Sequence, residues 1–263
     1  MLAMPLSTKS SANQHEENMS LLTLPFPCPG SSSKTSVVGG IPTKEFVFND
    51  DTSAVQLLTM TAANWGTYDR ETFSVLARVT LGDDSVSGDK WIWHQYMSGT
   101  TVSWYLQLAS NGVLVFYING VTQGNTYSAA DVVAEGVETL IYCTYIYGAG
   151  GSIRKARMYI GTGDDEPAEI DDATCDPPNE GDGDIGFGGF TSISKGWNGT
   201  IHQPMFFAGG IPLVSEVGTA DNPVDLSEHA NLYSAPDADN LPTDLQLSEA
   251  WTNNNSVLVQ TRS

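Results

Sequence analysis

From Glu45 onward, hydrophobic and polar residues alternate in short runs, a pattern that is typical of β-strands. The runs that fit a strand are EFVFN, AVQLLTM, TFSVLARVTL, KWIWHQYM, SWYLQLA, GVLVFYING, TLIYCTYIYG, RKARMYIG and TIHQPMFFAG. Clusters of Asp, Asn, Ser and Gly separate these runs, and Ser110-Asn111-Gly112 predicts a tight hairpin between two of them. Short strands at this regular spacing predict an all-β sandwich or barrel.

Both ends of the chain depart from the alternating pattern. Residues 1–40 are rich in Ser, Thr and Pro, which predicts an extended arm with polyproline-like stretches. Residues 217–263 are rich in Asp, Asn and Pro, but DLSEHANLYSA within them predicts a short helix and SVLVQT a last strand. We therefore divide the chain into an N-terminal arm (1–40), a β-sandwich (41–216) and an irregular acidic C-terminal extension (217–263).

The charge of the chain limits its partners. The formal net charge is −20, and residues 164–263 hold 18 of the 31 acidic residues but only Lys195 and Arg262 as cations. Nucleic-acid binding needs a basic face, so we expect no nucleic-acid partner. No apolar run reaches membrane-spanning length and the first residues lack the layout of a secretion signal, so we expect no membrane partner and synthesis in a cytoplasm.

The chain contains three cysteines, at positions 28, 143 and 175. Their odd number and wide spacing predict neither a disulfide framework nor a zinc site. Cys143 lies within an apolar run and is predicted to be a buried free thiol.

Several segments, taken in order, resemble the laminin-G-like, concanavalin A-like lectin/glucanase superfamily. FVFNDDTSAVQL resembles its opening strand pair, SWYLQLASNGVLVFYING its "W-x-L-x-L-x-x-x-G-x-L-x-F-x-V-N-G" hairpin, and IGFGGFTSISKGWNGTIHQPMFFAGG its closing segment. The resemblance covers roughly residues 45–216 and implies a concanavalin A-like antiparallel β-sandwich. It leaves function open, because enzymes, lectins, adhesion domains and viral surface proteins share this fold. His202-Gln203 and Gly136-Val137-Glu138 depart from the superfamily pattern, which commonly has Asp-Glu and Trp-His-His there.

One short motif resembles a hydrolase active site. Glu169-Ile170-Asp171 is similar to the start of the laminarinase-type motif "E-I-D-x-x-E", whose carboxylates act about 5 Å apart across the scissile bond. The second Glu is missing, and Pro177-Pro178 closes a segment without apolar alternation, which favours an exposed loop. We therefore expect a protein that is not an enzyme and has no catalytic residues, with a glycoside hydrolase that uses Glu169 and Asp171 as the second alternative.

A cluster of carboxylates is a candidate calcium site. Asp182-Gly183-Asp184, flanked by Glu180, offers alternating carboxylates on a flexible backbone, and Ca²⁺ prefers such oxygen ligands. The competing interpretation is a solvated run of charge. Calcium is the one cofactor that the sequence suggests, with Asp182, Asp184 and Glu180 as its predicted ligands.

The aromatic residues of the predicted strands allow two interpretations, sugar stacking or core packing. The set is Trp91, Trp93, Tyr96, Trp104, Tyr105, Tyr142, Tyr145 and Tyr147. Strict alternation in WIWHQY places Trp91 and Trp93 on one face of a strand and Ile92, His94 and Tyr96 on the other. Core packing is the favoured interpretation, so no glycan-binding residue is assigned, and His202 on its predicted strand is interpreted as a structural histidine.

These features together favour a non-enzymatic structural surface protein. The missing secretion signal, the missing catalytic pair and the long arm favour a bacteriophage virion component, a capsid decoration or head-fibre protein, located on the virion surface. Leu21, Leu22, Leu24 and Phe26 form an apolar cluster that we expect to anchor the arm on other virion chains or on copies of this chain. A lectin-like glycan-binding module with an extracellular location is the alternative.

Overall fold

Antiparallel β-strands make up nearly all of the regular structure. The computed structural model describes residues 43–49, 55–65, 68, 72–83, 88–98, 101–119, 126–147, 154–178, 183–190, 195–209, 211–226, 230–236, 242–244, 251–254 and 256–262. The strands are β1 Lys44–Phe48, β2 Leu57–Met60, β3 Thr72–Leu81, β4 Lys90–Ser98, β5 Thr101–Leu108, β6 Val113–Ile118, β7 Thr126–Ala130, β8 Glu138–Tyr147, β9 Arg154–Thr162, β10 Ala168–Thr174, β11 Ile185–Phe187, β12 Gly189–Phe190, β13 Lys195–Gly196, β14 Gly199–Ala208, β15 Leu232–Pro236, β16 Pro242–Asp244, β17 Thr252–Asn254 and β18 Leu258–Thr261. A four-residue helix α1, Ala62–Trp65, and a 3-10 turn, Val214–Glu216, complete them. Within the described ranges, no helix has the length and apolar character needed to cross a membrane.

The strands form two sheets that pack face to face. Sheet A has the order β10-β9-β8-β3-β14-β1-β18, with β15 beside β14 and β16 beside β15. Sheet B has the order β17-β2-β11-β4-β5-β6-β7, and the short β12-β13 hairpin contacts β4. The all-β sandwich predicted from the sequence is therefore confirmed.

The main core lies between the two sheets and is rich in aromatic residues. Phe73 of β3 has its ring centroid 5.4 Å from that of Trp104, 5.6 Å from that of Tyr145 and 6.1 Å from those of Phe116 and Phe206. All five rings are fully buried, as is the predicted free thiol of Cys143. Burial raises the pKa of that thiol well above its ordinary value, so it behaves as a small apolar side chain.

A second core covers the outer face of sheet A. Apolar side chains on β3, β8 and β14 pack there against residues 211–226 and Ala230. The cluster consists of Leu76, Leu140, Tyr142, Met205, Phe207, Val217, Ala220, Leu226 and Ala230. Arg78 of β3 is buried beside it and donates hydrogen bonds to the carbonyls of Val217, at 2.9 Å, and Thr219, at 3.0 Å. The C-terminal segment is thus held on the sheet by apolar burial and by one buried guanidinium.

Each predicted strand run overlaps an observed strand, and one error lies near the C-terminus. The hairpin at Ser110-Asn111-Gly112 is present, with Gly112 at φ +77°, where glycine is favoured. The last strand predicted in SVLVQT is β18. The helix predicted in DLSEHANLYSA is wrong for residues 232–236, which form β15 because they pair with the β14 edge at Met205 and Phe206. The division at residues 40 and 216 stays a prediction, although β17 and β18 of the last segment join the two sheets.

Candidate functional site

A β-bulge in β4 decides which aromatic residues reach the outer face of sheet B. Trp91 pairs with Gln107 and Trp93 with Leu106, so Ile92 is an extra residue on β4. Ile92 and Trp93 both face the main core, whereas Trp91 stacks on the opposite face. The strict alternation predicted for WIWHQY is therefore wrong, because one inserted residue moves every side chain before it to the other face.

The outer face of sheet B carries a row of five aromatic rings, which we call the aromatic ribbon. It runs across the strands from Tyr117 of β6 to Tyr105 of β5, Trp91 of β4, Phe190 of β12 and Tyr96 of β4. Successive ring centroids are 4.9, 4.6, 4.4 and 5.1 Å apart. Three of these four contacts are stacked, and the contact between Trp91 and Tyr105 is tilted by 40°. Such contacts fasten the β12 segment onto the sheet.

The ribbon offers ring surface to a ligand mainly at its ends. Phe190 is stacked between Trp91 and Tyr96, at 19° to each, so both of its faces are covered and it is only 3 % exposed. Trp91 is 5 % exposed for the same reason. Tyr105 and Tyr117 are half-buried neighbours at one end, and Tyr96 is half-buried at the other. Tyr117 and Tyr96 are therefore the end rings of the ribbon, and the half-buried Tyr105 lies next to Tyr117.

His94 lies beneath the ribbon and is fully buried. Its ring meets the edges or faces of Tyr96, Phe190 and Trp91 at centroid distances of 4.8, 5.3 and 5.9 Å. Gly186 of β11 makes room for it, because a Cβ at that position would lie 2.8 Å from Cε1 of His94. Among the described residues, neither ring nitrogen of His94 has a hydrogen-bond partner, and Nε1 of Trp91 has none either. Burial lowers the pKa of His94 from 6.5 to about 3, so the ring is neutral at physiological pH.

The buried His94 makes a specific prediction about acid stability. Because its pKa is depressed in the folded protein, the unfolded chain takes up a proton first, and stability present above pH 6.5 is lost as the pH falls toward 3. At about 1.4 kcal/mol per pH unit, the loss between pH 7 and pH 4 is about 3 kcal/mol. We expect urea unfolding of the native protein to show this extra loss relative to His94→Phe, in which position 94 cannot be protonated. Equal losses in the two proteins would contradict the assignment.

Glu169 and Asp171 lie on a strand rather than in the predicted loop. They belong to β10, the edge strand of sheet A, with a register irregularity at Ile170, which packs on the main core. An edge strand tolerates polar residues on both faces because solvent reaches it, so the missing alternation did not exclude a strand. Glu169 is exposed, and its Oε2 lies 3.7 Å from Nε of Arg157. Asp172, next in sequence, forms an ion pair with Lys155, which lowers the pKa of that carboxyl.

Only one of the predicted calcium ligands falls within the described residues. Oδ1 of Asp184 accepts a hydrogen bond from the backbone N–H of Ala62 at 2.9 Å, at the start of α1. Glu180 and Asp182 lie outside the described residues, so the calcium site stays a prediction. In the part of the chain that the structure describes, no three His, Cys, Asp or Glu side chains are close enough to hold a metal ion. The anchoring residues Leu21, Leu22, Leu24 and Phe26 also lie outside it.

His202 is part of a buried polar cluster on sheet A. Its Nδ1 lies 3.2 Å from Nη1 of Arg262 and 3.9 Å from Oε1 of Glu138, and Arg262 also forms an ion pair with Glu138. Burial raises the pKa of Glu138, and the Arg262 charge opposes this rise. Glu138 and His202 belong to the two segments, Gly136-Val137-Glu138 and His202-Gln203, at which the sequence departs from the superfamily pattern. Both residues contact Arg262, which follows β18, so these contacts connect the end of β18 to β8 and β14.

Comparison with known proteins gives a structural likeness without a sequence relative. No protein-family model and no curated protein matches the chain. The native heptameric SAP-like pentraxin from Limulus polyphemus is similar in fold, with a TM-score of 0.55 at 10 % identity over 83 % of this chain and 94 % of that one. A mutant of NanB sialidase from Streptococcus pneumoniae matches at a TM-score of 0.48 and 13 % identity, over 78 % of this chain and 32 % of that one. Tailspike protein 2 of an Escherichia coli O157:H7 bacteriophage matches at 0.46 and 14 % identity, over 76 % and 30 %. The pentraxin likeness and the two-sheet topology define a concanavalin A-like β-sandwich.

Proposed function

We propose that this protein is a non-catalytic carbohydrate-binding module and that its ligand is a neutral glycan. The observation that carries the proposal is the half-exposed pair of Tyr105 and Tyr117 on the outer face of sheet B, with ring centroids 4.9 Å apart. The face of an aromatic ring has a negative potential, which attracts the partly positive C–H groups of a sugar.

The surroundings of the pair favour a neutral ligand. The chain has a formal charge of −20, which repels anionic glycans. His94, which lies beneath the aromatic ribbon, is neutral at physiological pH and supplies no positive charge. Gln107 follows Tyr105 on the same face of β5, where its amide is uncharged and only 8 % exposed.

The surroundings of Glu169 support a non-catalytic role. A retaining or inverting glycosidase needs two carboxyl groups that face the substrate from opposite sides of the scissile bond. Glu169 instead lies near Arg157 at the edge of sheet A, and the second Glu of the hydrolase motif is absent from the sequence. Turnover of a β-glucan that is lost in Glu169→Gln would contradict this part of the proposal.

Glycan binding can be tested with matched tyrosine variants. We expect the protein to bind members of an array of neutral glycans. Tyr117→Ala and Tyr105→Ala should each raise the dissociation constant about tenfold, which is a loss of about 1.4 kcal/mol in binding free energy. Tyr159→Ala is the control, because Tyr159 is a half-buried tyrosine on sheet A. An equal loss in Tyr159→Ala, or unchanged binding in Tyr117→Ala, would contradict the proposed site. Binding confined to anionic glycans would contradict the proposed ligand class.

A second candidate function is a structural component of a bacteriophage virion surface. The position at which the predicted arm joins the sandwich supports it. The carbonyl of Thr43 accepts a hydrogen bond from the backbone N–H of Arg262 at 2.9 Å, so the chain enters sheet A at β1, beside the edge strand β18. An arm that starts there can reach a neighbouring chain without disturbing the core. Carbohydrate binding and virion attachment are compatible in one protein.

A further inference from the structure

The edge strands of sheet A differ in whether they carry charged residues and proline. Open edge strands offer unpaired backbone groups to other chains, and proteins usually protect them with charge or proline. The edge strand β10 carries Glu169, Asp171 and Asp172, and the edge strand β16 carries Pro242 and Asp244. Both therefore have the features that prevent pairing with another chain.

The edge strand β18 lacks this protection. Residues 251–261, WTNNNSVLVQT, contain no charged residue and no proline, although the chain has a formal charge of −20. Leu258 of β18 is 55 % exposed, and Gln260 is exposed on the same face of the strand. Among the described residues, β18 is the only edge of sheet A that is both uncharged and free of proline.

The hydrogen-bond register shows which backbone groups of β18 are available. The N–H of Arg262 donates to Thr43 on the β1 side. Because antiparallel strands alternate between bonded and non-bonded residues, Gln260 also faces β1, and Val259 and Thr261 direct their N–H and C=O groups away from it. These four backbone groups have no partner among the described residues.

Sheet B ends on the same side of the sandwich with another uncharged strand. Three residues separate β17 from β18, so four Cα–Cα steps limit the distance between the two strand ends to roughly 14 Å. The Asn253 side chain fixes this connection by accepting a hydrogen bond from Val257 N–H at 2.8 Å and donating one to its carbonyl at 3.1 Å. Residues 251–254 and 256–261 thus form one uncharged side of the sandwich, which we call the neutral wall.

We propose that the neutral wall is a dimer interface, at which β18 pairs antiparallel with β18 of a second copy of this chain. A two-fold axis at Gln260 places Val259 of each copy opposite Thr261 of the other copy, which gives two equivalent pairs. The outward N–H and C=O groups of Val259 and Thr261 in each strand then form hydrogen bonds with the other strand. The pairing joins the two copies of sheet A into one continuous sheet. A second copy fits because two chains of charge −20 repel each other least where the facing surfaces carry no charge.

Sedimentation velocity on the full-length protein tests this interface. We expect a dimer of twice the 28.2 kDa chain mass that dissociates on dilution. Its dissociation constant should decrease when the salt concentration rises from about 0.01 M to about 0.15 M, because the Debye length falls from ~30 Å to ~8 Å and the repulsion is screened. Leu258→Lys and Thr261→Pro should each weaken the dimer by about tenfold or more, because the first adds an edge charge and the second removes an outward N–H without affecting the bonds to β1.

Control variants separate this interface from the alternatives. Ala168→Lys places the same charge on the β10 edge and should leave the dimer unchanged, as should Leu22→Asp and Leu24→Asp in the predicted arm. A protein that is monomeric at every concentration and salt would overturn the proposal. A dimer that survives both Leu258→Lys and Thr261→Pro, or one that is lost in the arm variants alone, would also overturn it.

Discussion

Replacing Arg78 with methionine is expected to lower the free energy of unfolding by about 3–5 kcal/mol. Arg78 is 1 % exposed, and its guanidinium donates to the carbonyls of Val217 and Thr219 and to the side-chain oxygen of Gln203. Methionine fills most of the volume but has no donor, so these buried oxygens would lose their partners. The cost of leaving buried acceptors unsatisfied exceeds the gain from removing one buried charge.

Equilibrium unfolding in urea measures this effect, and Arg157→Met provides the matched control. The Arg157 side chain is 35 % exposed and its Nε lies 3.7 Å from Glu169, so its loss should cost less than about 1 kcal/mol. Hydrogen exchange should also show that Arg78→Met releases residues 211–226 from sheet A, because the guanidinium fixes the middle of that segment. Equal destabilisation by the two variants would contradict the role given to Arg78.

Truncating Phe73 to alanine should destabilise the protein by about 3–5 kcal/mol as well. Its ring contacts four other buried rings at the centre of the main core, and their size and rigidity prevent the cavity from closing. Val137→Ala is the control, since Val137 is 41 % exposed and should change stability by less than about 0.5 kcal/mol. A loss below about 1.5 kcal/mol in Phe73→Ala would show that the core relaxes around the gap.

The strands of the sandwich could be predicted because their local pattern and their final environment agree. TFSVLARVTL alternates, and it forms β3 from Thr72 to Leu81, with five apolar residues in the main core and Leu76 in the second core. Apolar residues on both faces of β8 and β14 are a signal that a further layer covers sheet A. The sequence did not show which segment supplies that layer, because residues 211–230 lack any regular periodicity.

The candidate site was not predictable, because it depends on pairings between distant residues. The bulge at Ile92 is fixed by sheet partners, including the N–H of Gly188, which donates to the Ile92 carbonyl at 3.0 Å. It is this bulge that brings Trp91 beside Phe190, a residue that lies far away in sequence. For Glu169 the local pattern was misleading. Its edge strand β10 has no apolar alternation, so the sequence favoured a loop.

The most direct test of the proposed carbohydrate site is an NMR titration of protein that is selectively labelled at its tyrosine rings. The chain contains ten tyrosines, so the individual ring signals can be assigned by substitution. On addition of a neutral oligosaccharide that the array identifies, we predict shifts in the signals of Tyr105 and Tyr117 and unchanged signals for Tyr142 and Tyr159 on sheet A. Shifts at Tyr159 with unchanged Tyr105 and Tyr117 signals, or no shift in any tyrosine signal at saturating oligosaccharide, would contradict the account.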